Sequence, residues 1–115
     1  MDAIDNKTIQ HNGFDIRIDV VPDSDSTPYD ADCYDDADIE AWRNDEWFYV
    51  GYIYTATLDG IELGSASIWG SEWDFPGGID SIDGWIAENY YHSDLLAEAT
   101  DEARATLTKL AAHTA

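Results

Sequence analysis

Residues 46–70, EWFYVGYIYTATLDGIELGSASIWG, hold two apolar runs joined by Asp59-Gly60. Trp47, Phe48, Tyr49, Val50, Tyr52, Ile53, Tyr54 and Thr55 are aromatic or β-branched, the types that suit a pleated, half-buried surface. Asp-Gly supplies the two positive-φ positions of a type I′ turn, whose twist matches that of paired antiparallel strands. The stretch therefore predicts a β-hairpin, and closure at Asp59-Gly60 sets its register. Leu58 then faces Ile61, Ala56 faces Leu63, Tyr54 faces Ser65, Tyr52 faces Ser67 and Val50 faces Trp69. One face carries Phe48, Val50, Tyr52, Tyr54, Ala56, Leu58, Ile61, Leu63 and Trp69 and is assigned to the core. The other carries Trp47, Tyr49, Ile53 and Ile68 among Gly, Thr, Ala and Glu. It is expected to be covered only towards the open end of the hairpin.

Upstream, Phe14, Ile16, Ile18 and Val20 alternate with Asp15, Arg17 and Asp19, the pattern of a half-buried antiparallel strand that Pro22 ends. Residues 1–12 are polar and weakly patterned and read as a flexible arm. Residues 22–37, PDSDSTPYDADCYDDA, read as a long acidic loop, rich in Pro, Ser and Asp. Asp38 to Asn44 can form one helical turn, with Asp38 as N-cap and Ile39 and Trp42 turned inward. After the hairpin, Trp73 and Phe75 are expected to fold back onto apolar surface. A helix starts near Asp80 or Ser81, with Ile82, Trp85, Ile86 and Tyr90 on one stripe. A second, capped by Ser93, buries Leu96, Ala99, Ala103, Leu107 and Leu110. These elements predict an α+β fold: a three-stranded antiparallel sheet, the hairpin about Asp59-Gly60 plus an N-terminal strand, packed by a C-terminal helix or helix pair.

A chain of 115 residues is one domain by length. Asp and Glu number 25 against 5 Lys and Arg, for a net charge of −20. Direct binding to nucleic acid or to an anionic membrane needs positive charge, so basic partners are favoured instead. The longest apolar runs fall short of the ~20 residues of a membrane span. The N-terminal MDAIDNKTIQ has neither the basic nor the apolar region of a signal peptide. Cys33 is the single cysteine and cannot form an intramolecular disulfide, so a cytoplasmic location is expected.

Catalytic patterns do not emerge. The sequence has no Gly-rich phosphate loop, no C-x-x-C, no H-E-x-x-H and no G-x-S-x-G, and His11, His92 and His113 are scattered. Calcium loops need Gly at the sixth position and Glu at the twelfth. Counting from Asp23 those positions are Pro28 and Tyr34; counting from Asp30 they are Asp35 and Ala41. Both registers fail. A non-enzyme without cofactor or metal is the expectation.

The acidic charge has two readings. In one it is a solvated surface, since acids also occupy both helices and the N-terminal arm. In the other the protein mimics nucleic acid and occupies the basic groove of a nucleic-acid-binding protein. The candidate partner-binding residues are Asp23, Asp25, Tyr29, Asp30, Asp32, Tyr34, Asp35, Asp36, Asp38, Glu40, Asp45 and Glu46, with the tyrosines as anchoring contacts. Extended, this segment carries about one charge per 7 Å, against one per ~1.7 Å of duplex axis. Mimicry needs it compacted beside other acids or doubled in a homodimer. An alternative function of a different class is structural: a protein that self-assembles through exposed aromatic surface around Trp47, Tyr49 and Trp73.

Three motifs stand out: W-x-x-D-E-W (Trp42, Asp45, Glu46, Trp47), Y-V-G (Tyr49 to Gly51) and E-L-G-S-x-S-x-W-G (Glu62 to Gly70). Together they resemble a family of small acidic proteins, of unassigned activity, encoded by bacteriophages of actinobacteria. The resemblance implies a phage protein acting in the host cytoplasm. Its expected role is to inhibit or modulate a host nucleic-acid-binding protein, as an anti-defence factor would.

Overall fold

The computed structural model describes residues 4–30, 32–88 and 91–114. Four strands, β1 (Asp5–His11), β2 (Phe14–Pro22), β3 (Phe48–Leu58) and β4 (Ile61–Trp73), form one antiparallel sheet in the order β1-β2-β3-β4. Helix α1 (Asp36–Arg43) stands between β2 and β3, and α2 (Ile82–Glu88) and α3 (Tyr91–Thr114) follow the sheet. The α+β class and the antiparallel sheet packed by a C-terminal helix are as expected.

The sheet has four strands rather than three, because residues 5–11, expected as a flexible arm, form β1. Asn12 and Gly13 both have positive φ, 52° and 89°, and close a tight hairpin from β1 into β2. β1 is an edge strand. Ile9 packs partly against the core while its neighbours face solvent, so its pairing rests on backbone bonds and leaves little apolar pattern.

β2 follows its alternation: Phe14, Ile16, Ile18 and Val20 are buried. The β3–β4 turn also forms where Asp-Gly requires it, with φ of 51° at Asp59 and 80° at Gly60, and Leu58 pairs with Ile61. Beyond that pair two bulges change the register. Leu63 is the extra residue between the pairs Thr57–Glu62 and Ala56–Gly64. Further on, Trp69 and Gly70 together oppose Gly51, between the pairs Tyr52–Ile68 and Val50–Ser71. Gly70 has φ 73°, a conformation that suits glycine in a bulge.

Because side chains alternate with period two, a one-residue shift exchanges the faces. Ala66 and Ile68 turn to the core, opposite Tyr54 and Tyr52, while Ser65, Ser67 and Trp69 turn outward. Trp69, expected in the core, is 50% exposed, and Leu58 and Ile61 at the turn are exposed as well. The second bulge restores the phase, so Trp73, opposite Phe48, is buried.

Helices α2 and α3 cover the core face. Trp85 lies flat on Tyr52, with ring centroids 3.8 Å apart and planes 10° apart. Its Nε1 donates to the Tyr54 hydroxyl at 2.8 Å, and that hydroxyl lies 2.6 Å from Nδ1 of His92. Since Tyr54 accepts from Trp85, its own proton is free to go to Nδ1 of a neutral His92.

Ser81 starts α2, its hydroxyl accepting from the Gly84 amide at 3.0 Å. Ile82 and Trp85 are buried and Ile86 packs at their edge; Tyr90, expected on that stripe, lies outside the described residues. α3 begins at Tyr91, so Ser93 is inside it rather than its cap. Leu95, Leu96, Ala99, Thr100 and Ala103 are buried. Leu110 was expected there too but is 51% exposed. α3 passes Gly64 at Ala99 and Ala103 and hydrogen-bonds the Leu63 carbonyl from Thr106 at 2.8 Å. It then runs on beyond the hairpin turn.

The result is long, 61 × 24 × 23 Å, with a radius of gyration of 16.8 Å where a compact chain of this length has ~13 Å. Among the described residues, no helix is long and apolar enough to cross a membrane.

Candidate functional site

The open end of the sheet, where β2 and β4 finish and β3 begins, gathers the acidic segment. Trp47 precedes β3 on its outer face and is fully buried there. Its Nε1 donates to the Asp38 carbonyl at 2.9 Å, which ties α1 down. Tyr34 stacks on Trp47 (5.1 Å, 29°), and Phe75 meets the same ring edge-on (5.1 Å, 82°). The Tyr34 hydroxyl donates to the Glu72 carboxylate. Burial first, and then the hydrogen bond to Glu72, push its pKa far above that of an ordinary tyrosine. The segment expected as one long loop is thus pinned to the sheet, turns through a 3-10 helix at Pro28–Asp30 and ends at α1.

The cap of α1 differs from expectation. Asp35, not Asp38, is the N-cap: it accepts from the Asp38 amide at 2.8 Å, and the Asp38 carboxylate accepts from the Asp35 amide at 3.2 Å. This reciprocal box satisfies two amides that a helix start otherwise leaves unpaired. It also gives Asp35 and Asp38 local structural work. Asp45, with φ 60°, terminates the helix, its amide bonded to the Trp42 carbonyl. The helical rise of ~1.5 Å per residue, against ~3.3 Å when extended, draws the acids of residues 35–40 together.

Of the candidate residues, Asp25, Asp32, Asp35, Asp36, Glu40, Asp45 and Glu46 are exposed, and Asp23 and Asp38 are half-buried. The Asp30 side chain lies outside the described residues. Tyr34 is engaged within the protein, whereas Tyr29 is 54% exposed. Tyr29 stands edge-on against Trp42 at 5.5 Å and accepts a hydrogen bond from Arg43 at 2.9 Å. Arg43 also lies 3.6 Å from Glu40. Of the aromatic residues expected to be exposed for self-association, Trp47, Tyr49 and Trp73 are buried.

Two recesses flank residues 22–26 and share the wall formed by Pro22, Asp23, Ser24 and Ser26. The larger, of about 630 Å³, is further lined by Trp42, Phe48 and Tyr49 and by Ile4, Arg43 and Asp45. The smaller, of about 470 Å³, is completed by Asp25 and Trp69. Asp23 is held rigidly between them. Its carboxylate accepts from the Ser26 hydroxyl at 2.8 Å, the Gly70 amide at 2.9 Å and the Asp25 amide at 3.1 Å. Burial works to raise its pKa, but these hydrogen bonds prevail and hold it below the usual aspartate value.

Phe48, expected in the core, packs against it and also lines the larger recess, whereas Trp69, expected there too, lines the smaller one from outside. The signal for Trp69 was present: Ser65, Ser67 and Trp69 alternate, and two serines do not suit a core face. No family model matches the chain, and neither a curated protein nor a solved structure matches it.

Proposed function

We propose that this protein is a non-enzymatic inhibitor or modulator that binds a basic, nucleic-acid-binding protein through the open end of its sheet and competes there with nucleic acid. The observation that carries the reading is a set of exposed carboxylates, Asp25, Asp32, Asp36, Glu40, Asp45 and Glu46, held on a pinned scaffold. The cation among them, Arg43, is already engaged by Tyr29 and Glu40. Carboxylates fixed before binding lose less entropy on association than those of a free chain. The motif resemblance to actinobacteriophage proteins supports a host target of the defence or transcription machinery.

Capture from an actinobacterial lysate at low salt, followed by stepwise salt release and competition with duplex DNA or RNA, tests this. The expected result is one nucleic-acid-binding protein, released by moderate salt and displaced by nucleic acid. A variant with Asp32, Asp36, Glu40 and Glu46 all changed to Lys should lose it. Capture that survives this reversal rejects the proposal.

The exposed Asp94, Glu98, Asp101 and Glu102 on α3, away from the open end, favour a second reading: an acid-covered domain whose charge serves solubility. Its signature in the same experiment is a diffuse set of basic proteins, equally insensitive to the variant.

A further inference from the structure

Trp69 is a preformed platform. Its ring lies against the backbone of Gly51 on one side, where a Cβ would fall 2.2 Å from the ring, and it is half exposed to solvent. Its Nε1 is fixed by the Ser67 hydroxyl at 3.2 Å. Beside it stand Asp23, immobilised by three hydrogen bonds, and the exposed Asp25. An exposed indole face walled by carboxylates is complementary to one kind of group, a flat, delocalised cation that stacks while its N–H groups reach the acids. Guanidinium satisfies both demands. An ammonium is compact and strongly hydrated and cannot lie flat.

The adjoining recess differs in its lining. Trp42, Phe48, Tyr49 and Ile4 line it, so it suits an apolar side chain, and Arg43, which also lines it, is already engaged by Tyr29 and Glu40. The two recesses share one wall, so a single peptide segment can reach both.

We propose that the Trp69–Asp23–Asp25 recess docks an arginine side chain of a basic protein segment, while the Trp42–Phe48 recess takes an apolar side chain of the same segment. The inference rests on the basic-partner reading above and adds to it which side chains are read. The net charge of −20 brings such a segment in, and the platform then discriminates arginine from lysine.

The test uses two blocked peptides, one carrying arginine and leucine among lysines, the other identical but with lysine in place of the arginine. Affinity is measured at low salt by calorimetry, and the indole N–H signals are followed by NMR. The arginine peptide should bind roughly fivefold tighter, with the Trp69 signal moving most. Trp69→Ala and Asp25→Asn should each abolish the preference; Asp25→Asn is near-isosteric at an exposed position, so it tests the recess without endangering the fold. Equal affinity for the two peptides, no binding of either, or a preference that survives both substitutions overturns the inference. The basic-partner reading has its own failure, partner capture that survives charge reversal at Asp32, Asp36, Glu40 and Glu46.

Discussion

Trp69 lies across the bare α-carbon of Gly51, turned out of the core by the bulge at Leu63 earlier in β4. The bulge places Trp69 on the outer face and Gly51 gives it room to lie flat. Neither would suffice alone: without the bulge the ring points inward, and with a side chain at 51 it stands away from the sheet.

Two glycines should therefore respond differently to the same change. Gly51→Ala meets a half-exposed ring that can swing aside, so the loss should be about 1 kcal/mol, with a red shift in tryptophan emission. Gly64→Ala meets backbone: its Cβ would fall 2.5 Å from the Ala99 carbonyl oxygen and 2.6 Å from the Ala103 amide. α3 must lift off β4, at a cost of about 3 kcal/mol or more. Urea unfolding of both variants measures the contrast.

The two core tyrosines form a second contrasting pair. Both rings are buried, but the Tyr52 hydroxyl has no hydrogen-bond partner among the described residues, whereas that of Tyr54 joins Trp85 to His92. Tyr52→Phe should be neutral or slightly stabilising, because it removes a desolvated hydroxyl. Tyr54→Phe orphans the Trp85 N–H and should cost about 1–3 kcal/mol. Thermal melts of the two variants check the contrast: a clear loss for Tyr54→Phe and none for Tyr52→Phe.

The same network makes stability depend on pH at both extremes. Burial, and then the proximity of His11, hold the His92 pKa below its ordinary value. As pH falls, the unfolded chain takes up that proton first. The contribution of His92 is thus present above about pH 6.5 and is lost as pH drops through the folded value. Tyr54 behaves oppositely. Burial raises its pKa from 10.0 to about 12, although the Trp85 hydrogen bond pulls the other way. Its contribution is full below pH 10 and is lost as pH rises through about 12. Urea midpoints followed across pH should show both limbs, with His92→Gln flattening the acid limb and Tyr54→Phe the alkaline one.

Helix α1 offers a local test. Asp35→Ala removes the N-cap and should cost about 1 kcal/mol, raising amide exchange across residues 36–43. Asp36→Ala, one position on and outside the capping box, should leave exchange there nearly unchanged.

The parts of the fold legible in the sequence were those with strong local chemistry. Asp59-Gly60 announced its turn, Phe14 to Val20 their alternation, and Ile82 and Trp85 their helical stripe. β1 was missed because only Ile9 packs against the core, yet Asn12-Gly13 is as strong a hairpin signal as Asp59-Gly60 and carried the necessary information. The bulges defeated the register because a register set by the turn holds only while pairing stays regular. The order in the acidic segment was illegible for another reason: Tyr34 is held by Trp47, Glu72 and Phe75, contacts between residues far apart in the chain that no local pattern encodes. The acids of the candidate site were legible, but their division between cap, scaffold and exposed surface was not.

The length of the molecule has an electrical consequence. α3 carries Arg104 and Lys109 to one end of a body 61 Å long, while Asp25, Asp32, Asp36 and Glu46 crowd the other. That separation is a permanent dipole moment, and near a cationic surface it produces torque as well as attraction. The protein would rotate before it touched, arriving with the open end leading. A larger fraction of its collisions would then begin in one orientation, an advantage that fades as added salt shortens the ~10 Å screening length of dilute buffer.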